Sequence, residues 1–271
     1  MQALYQLSYG PGKGKGNKPP GADAVNAILT PKETLRPRLP TGRREGCLRS
    51  MVEPEDISPE AGEEEPSNPS PGPRGALRIE KTFIEGLPED EWRGPIELVE
   101  REAEAELAIR TMLNERVLGF DTETKPCHRR GESHLPSVLQ LATSDRVFVF
   151  RIEPCGGIPF AFPVLCNPRI AKVGIAVRDD VRHLIRRAPF DARGFIEISD
   201  YTRKAGVENT GLRALAAHYL GFQMKKSKKV QVSDWSRRLD KRQVQYAAND
   251  AWVGRELFLK LEASGIIPKF S

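Results

Sequence analysis

Five residues spread over half of this chain have the types and spacing to do chemistry. Asp121 and Glu123 stand two apart in Phe-Asp-Thr-Glu-Thr (120–124). Asp180 closes Val-Gly-Ile-Ala-Val-Arg-Asp-Asp (173–180), and Tyr246 precedes Asp250 by four positions in Tyr-Ala-Ala-Asn-Asp (246–250). On a strand, residues two apart share a face, so Asp121 and Glu123 would leave an apolar strand together. On a helix, residues four apart share a face, so Tyr246 and Asp250 would do the same. Carboxylates that converge repel one another unless cations sit between them. An oxygen-only ligand set suits hard divalent ions such as Mg²⁺ or Mn²⁺. Two such ions beneath one phosphodiester would promote its hydrolysis.

Those residues need elements to position them. Ile96 to Val99 reads as a short strand, and 101–114 as a helix with Ala105, Leu107, Ala108, Met112 and Leu113 on its inner face. The apolar run 117–120 is a buried strand leading straight into Asp121. Strands at 137–143 and 146–152 follow, joined by a Ser144-Asp145 turn, which predicts three neighbouring strands in a meander. A buried strand is expected at 172–177 and a helix at 179–187. Asp179 is expected as that helix's cap and Asp180 as the inward acid, with the reverse assignment open. A short extended piece spans 195–198. A helix over 210–220 starts from Thr210 as its cap and ends at Gly221. The last and longest helix, 240–261, carries Ala247, Ala248 and Ala251 beside Tyr246 and Asp250. Such small residues would let it approach the sheet closely and bring Asp250 beside Asp121. Together these elements describe one α/β domain, a mixed sheet flanked by helices, over 76–267.

Ahead of that domain, 1–75 reads as a disordered tail without apolar periodicity. Its first fifty residues carry nine Lys/Arg against three Asp/Glu, and 51–74, rich in Pro and Glu, carry one against seven. The two blocks cancel, so 75–271 holds the chain's net charge of +5. Residues 182–238 concentrate thirteen Lys/Arg against five Asp/Glu, a charge balance suited to a phosphate backbone. Four of these are Lys225, Lys226, Lys228 and Lys229, a cluster that could grip the backbone of a single strand, with Trp235 close behind as a candidate stacking surface, a core role for it being the alternative. Cys47, Cys127, Cys155 and Cys166 show no Cys-x-x-Cys or zinc-type spacing and read as free thiols. With no signal peptide and no eighteen-residue apolar run, the expectation is an intracellular protein, cytoplasmic or nuclear, with no membrane partner.

The motifs occur in a fixed order. Phe-Asp-Thr-Glu-Thr comes first, then Val-Leu-Gln-Leu-Ala-Thr (138–143) and Val-Phe-Val-Phe (147–150). Lys-Val-Gly-Ile-Ala-Val-Arg-Asp-Asp (172–180), Gly-Leu-Arg-Ala-Leu-Ala-Ala-His-Tyr-Leu-Gly (211–221), Ser-Asp-Trp (233–235) and Tyr-Ala-Ala-Asn-Asp-Ala-Trp (246–252) follow. This series resembles the DEDD 3′–5′ exonucleases, in the branch of ribonuclease D and the Werner-syndrome exonuclease domain, over about 95–262. Tyrosine four residues before the last Asp resembles the tyrosine subclass. The resemblance implies a ribonuclease-H-like sheet, two divalent ions (Mg²⁺ or Mn²⁺), and release of nucleoside 5′-monophosphates from single-stranded or frayed 3′ ends of nucleic acid. It also implies roles. Asp121 would bridge both ions, Glu123 and Asp250 would hold the ion that activates water, Asp180 would support the second ion, and Tyr246 would orient the nucleophile. The competing expectation is a nucleic-acid-binding module that keeps the fold without turnover.

Overall fold

A computed structural model of the chain describes residues 76–271 apart from 128, 130 and 226. The expected tail, 1–75, lies outside the described residues, and so does Lys226. In chain order, α1 (Lys81–Glu85) and β1 (Glu89–Asp90) precede β2 (Ile96–Val99), α2 (Glu102–Met112), β3 (Val117–Thr124), β4 (Pro136–Ala142) and β5 (Val147–Arg151). Next come α3 (Phe162–Leu165), β6 (Ala171–Gly174), α4 (Val177–Arg187), β7 (Phe195–Glu197) and α5 (Ile198–Lys204). The elements α6 (Leu212–Leu215), β8 (Gln223–Met224), α7 (Lys228–Gln231) and α8 (Lys241–Ala263) follow.

Six strands form one mixed sheet in the order β2-β5-β4-β3-β6-β7. The pairs β3/β4 and β4/β5 are antiparallel, which makes the expected meander, and β2, β6 and β7 join in parallel. Alternation along β3 sorts its side chains. Leu118 and Phe120 enter a core shared with Ile109 and Met112 of α2 and Leu184 of α4. Val117 faces the other way, into a core with Val253, Leu257 and Phe258 of α8. Gly119, Asp121 and Glu123 continue the α8 face by the same period of two.

Helix α8 is anchored at its start by a capping box. The Asp240 side chain accepts from the backbone N–H groups of Arg242 and Gln243, and Gln243 accepts in return from Asp240 N–H at 2.9 Å. Ala247, Ala248 and Ala251 are fully buried against the sheet. A β-carbon on Gly119 would fall 1.9 Å from the Ala251 carbonyl oxygen, so the close approach requires glycine there.

Several local expectations are corrected. In α2 the buried residues are Ala105, Ala108, Ile109 and Met112, whereas Leu107 is 65% and Leu113 41% exposed. The strand expected over 172–177 stops at Gly174, because Ala176 takes left-handed backbone (φ 61°) and Val177 opens α4. The helix expected from Thr210 starts at Leu212 after Gly211, and its second half widens into a π-helical turn over Ala216–Leu220. Gly221 ends it at φ 78°, the left-handed position that glycine fills without strain. Ile198 belongs to α5, a helix without a clear local signal. Among the described residues no helix is long and apolar enough to cross a membrane.

Candidate active site

The end of β3 carries Asp121 and Glu123 to the α8 face of the sheet, where Asp250 meets them. Carboxylate oxygens of these three residues all lie within 4.8 Å of one another. Asp180 approaches from the first turn of α4 and stays outside that tight group. It accepts a hydrogen bond of 2.6 Å from Thr122 Oγ1, which fixes it beside the same strand end. Asp179 does not cap α4, contrary to expectation. It is exposed and pairs with Arg182 at 3.0 Å.

The helix start that aims Asp180 is held by a residue that sequence reasoning missed. Ala176 occupies the cap position, and its N–H donates to Glu197 Oε1 at 3.1 Å. The same nearly buried carboxylate accepts from Ser199 N–H and, at 2.6 Å, from Ser199 Oγ. Glu197 thus ties the left-handed turn before α4 to the start of α5. Its only sequence signal is its place one residue before Ile198, which local patterning does not single out.

The four acids are held mostly away from water, and this sets their charge. Burial raises Asp121 well above the usual carboxylate range, and Asp180, Asp250 and Glu123 push it further. Burial, then Asp250 and Asp180, raise Glu123 to about 9. Asp180 is raised to about 7 by burial, against the opposing Thr122 hydrogen bond. Asp250 is raised to about 7 by burial, partly offset by Tyr246. Without a counter-charge the group therefore retains protons at neutral pH, and a divalent cation would favour the ionised form. The donor set, all carboxylate oxygens at close range, fits a hard divalent ion.

Tyr246 faces Asp250 from one helical turn away. Burial first, then the charges of Asp250, Glu123 and Asp121, hold its phenol far above the ordinary tyrosine value. The group therefore stays protonated throughout the working pH range and acts as a hydrogen-bond donor rather than a base.

Trp235 is a correction. It was expected among the nucleic-acid contacts, yet it is fully buried. Its Nε1 donates to the Gln231 carbonyl at 3.3 Å, and its ring lies 6.0 Å from that of Tyr246. It supports Tyr246 from beneath and has no free face for a base. Ser233 of the same motif accepts from Gln243 Nε2 at 2.9 Å, which ties this loop to α8.

Beside the acids opens a cavity of about 510 Å³ whose lining includes Asp121, Tyr246 and Asp250 together with Arg213, Lys225 and Lys228. Lys225 and Lys228 are exposed at its wall; Lys229 is exposed but does not line it. A second cavity of about 460 Å³ shares Lys225, Ser227, Tyr246 and Asn249 with the first and adds Lys241 and Arg242. Asn249 also fixes Trp92, accepting from its N–H at 2.9 Å.

A mixed sheet of this order, crossed by one long helix that brings an acid to the end of the central strand, is a ribonuclease-H-like fold. Asp121, Glu123 and Asp250, with Asp180 and Tyr246 beside them, collect at the end of its central strand. A family model described as 3′-5′ exonuclease matches residues 96–265, and the chain belongs to that family. The order of its acidic motifs fits the DEDD group. The chain is 31% identical over 150 residues to the bifunctional 3′-5′ exonuclease/ATP-dependent helicase WRN of Mus musculus, covering 54% of this chain but 11% of that protein. It is 26% identical over 264 residues to a 3′-5′ exonuclease of Drosophila sechellia, covering 86% of this chain and 73% of that one. Among solved structures, the Nibbler EXO domain of Aedes aegypti superposes with a TM-score of 0.58 at 21% identity, covering 64% of this chain and 91% of that one.

Proposed function

We propose that this protein is a divalent-metal-dependent 3′–5′ exonuclease that removes nucleoside 5′-monophosphates from single-stranded or frayed 3′ ends. The observation that carries this reading is the meeting of Asp121, Glu123 and Asp250 within 4.8 Å, with Asp180 beside them. Asp121, Glu123 and Asp250, supported by Asp180, would hold two Mg²⁺ or Mn²⁺ ions. Bound there, such ions would stabilise the attacking and leaving oxygens of an in-line displacement.

The chain's own groups do the rest. The neutral Tyr246 hydroxyl donates to the attacking water or to a phosphate oxygen and fixes its direction. A water oxygen bonds to phosphorus as the P–O3′ bond breaks. The departing strand oxygen takes up a proton, and the released nucleotide keeps its 5′-phosphate. Lys225 and Lys228 at the cavity wall attract the backbone. We assign the domain to 76–267, supported by the extent of the family match and by Ile79 and Ile267, both buried in one core.

A 5′-labelled single strand, as DNA and as RNA, tests the reading with Mn²⁺, Mg²⁺ or EDTA. The expected result is a metal-dependent ladder shortening from the 3′ end. It should be lost in Asp121→Ala/Glu123→Ala and weakened less by Tyr246→Phe. No ladder from folded protein, with binding indifferent to EDTA, would favour a binding module instead.

A further inference from the structure

Arg213 is a cation in the catalytic cavity that the protein itself does not pair. It stands in the first turn of α6, half-buried, with its Nε shielded from solvent and without a hydrogen-bond partner. Among the described residues it forms no ion pair. The other half-buried arginines among the described residues do. Arg151 pairs with Glu100 at 2.9 Å, Arg187 with Glu153 at 2.5 Å and Arg255 with Glu256 at 3.2 Å. A shielded guanidinium N–H without a partner is unfavourable, so its position in a cavity calls for an anionic group from outside the chain.

A guanidinium presents a planar fork of donors that matches a phosphate on two oxygens. Lys225 and Lys228, both exposed, line the same cavity and offer only point charges. Arg213 lines the same cavity as Asp121 and Asp250 and, among the described residues, forms no hydrogen bond or ion pair with either. Its donors are therefore not taken up by the acids that would hold the scissile phosphate and are left for another phosphate of the strand. A 3′-terminal nucleotide with a free hydroxyl carries no phosphate beyond the scissile one. Every other phosphate of the strand lies on the 5′ side.

Resting on the exonuclease reading above, we infer that Arg213 grips the phosphate of the second linkage from the 3′ end and sets the register of the strand for cutting at the first. Arg213 is thus a positioning residue whose ligand is a single backbone phosphate, common to DNA and RNA. Two readings of that contact differ in what they require. A phosphate contact depends on the charge of the second linkage, whereas a contact to the terminal base does not.

A double-mutant cycle with the full chain separates them. One oligonucleotide carries an ordinary second linkage and another a neutral methylphosphonate there. Each is offered to the wild type, Arg213→Gln and Arg213→Lys. The cycle is read both as rate of terminal-nucleotide release and as binding by fluorescence anisotropy in Ca²⁺. The neutral linkage is expected to weaken the wild type by about tenfold, the size of one charged hydrogen-bonded contact. Arg213→Gln should show the same loss on the ordinary strand and no further loss on the neutral one, with Arg213→Lys between. Arg213→Gln should also keep its melting temperature, since no bond ties the side chain to any of the described residues. If Arg213→Gln and the methylphosphonate lower binding independently and additively, the inference is overturned. If the wild type binds but never cuts, the exonuclease reading fails, while the anisotropy cycle still decides the role of Arg213.

Discussion

Gly119 of β3 lies so close beneath Ala251 of α8 that the Ala251 carbonyl oxygen occupies the space a β-carbon would need, 1.9 Å away. That approach brings Asp250, the residue before Ala251, to Asp121, two residues beyond Gly119. Gly119→Ala must push α8 off the sheet. Overpacking of this kind costs about 1–3 kcal/mol, and a backbone clash lies at the upper end. The metal-free melting temperature should fall, and Mn²⁺ affinity measured by calorimetry should fall with it, because Asp250 retreats from the other acids. A variant that is destabilised but binds Mn²⁺ as the wild type does would separate the helix position from the site.

The acid group also makes stability depend on pH in a defined direction. Its carboxyls titrate higher when folded than when unfolded. Free carboxyls lose their protons near pH 4, whereas Asp180 and Asp250 do so at about 7 and Glu123 at about 9. Between those limits the folded chain holds more protons, so stability declines as pH rises. The penalty is absent below about pH 4 and grows as pH rises through about 7 and about 9, where Asp180, Asp250 and then Glu123 ionise. A divalent cation offsets it by favouring the ionised acids. Melting curves at pH 5, 7 and 9, in EDTA and in Mn²⁺, should show a Mn²⁺-induced rise that grows with pH. A rise of equal size at all three would mean that the acids are not where the ion binds.

Much of this site was legible because it rests on short periods. Asp121 and Glu123 follow the alternation of β3, and Tyr246 and Asp250 the turn of α8, so spacing alone fixed which faces they share. The small residues Ala247, Ala248 and Ala251 announced a close helix–sheet contact. What was not legible depends on partners distant in sequence. Thr122 reaches Asp180 across fifty-eight positions, and Glu197 holds the turn before α4 from twenty-one positions away. Neither pairing leaves a local pattern. Ala176 in left-handed backbone replaced the expected Asp179 cap because that conformation is set by Glu197 rather than by the residue itself. Lys172 is fully buried in β6. Its Nζ is satisfied there by the carbonyls of Asn167 and Ile170, each at 2.7 Å.

Trp235 was misread for a related reason. A tryptophan after a run of lysines resembles a stacking surface, but here it fills the space between Gln231 and Tyr246. Trp235→Ala should therefore destabilise the fold by about 3–5 kcal/mol, as expected of a buried large aromatic. Trp235→Phe should leave the affinity for a single strand within about twofold, whereas loss of a stacked base would cost about 1–3 kcal/mol. Anisotropy with a labelled oligonucleotide checks this. A tenfold loss of affinity in Trp235→Phe with an unchanged melting temperature would return Trp235 to the nucleic-acid surface.

Gln140 stands opposite Asp121 in the β3/β4 register, and directly opposed side chains in an antiparallel pair share a face. It is fully buried, and neither its amide nitrogen nor its amide oxygen has a partner among the described residues. Leaving such a group unsatisfied costs about 1–3 kcal/mol. Gln140→Met keeps the volume and removes the polar atoms, so the metal-free protein should become more stable by about 1 kcal/mol. A higher midpoint in urea at unchanged slope would show this. The amide sits where it could donate to Asp121 once that acid is ionised, so the comparison in Mn²⁺ is the informative one. If the amide takes up that contact, the stabilisation by Gln140→Met shrinks or reverses when Mn²⁺ is added, because the variant then forfeits a bond to a charged acceptor. A gain of the same size with and without the ion would leave Gln140 as a polar residue that the core tolerates without use.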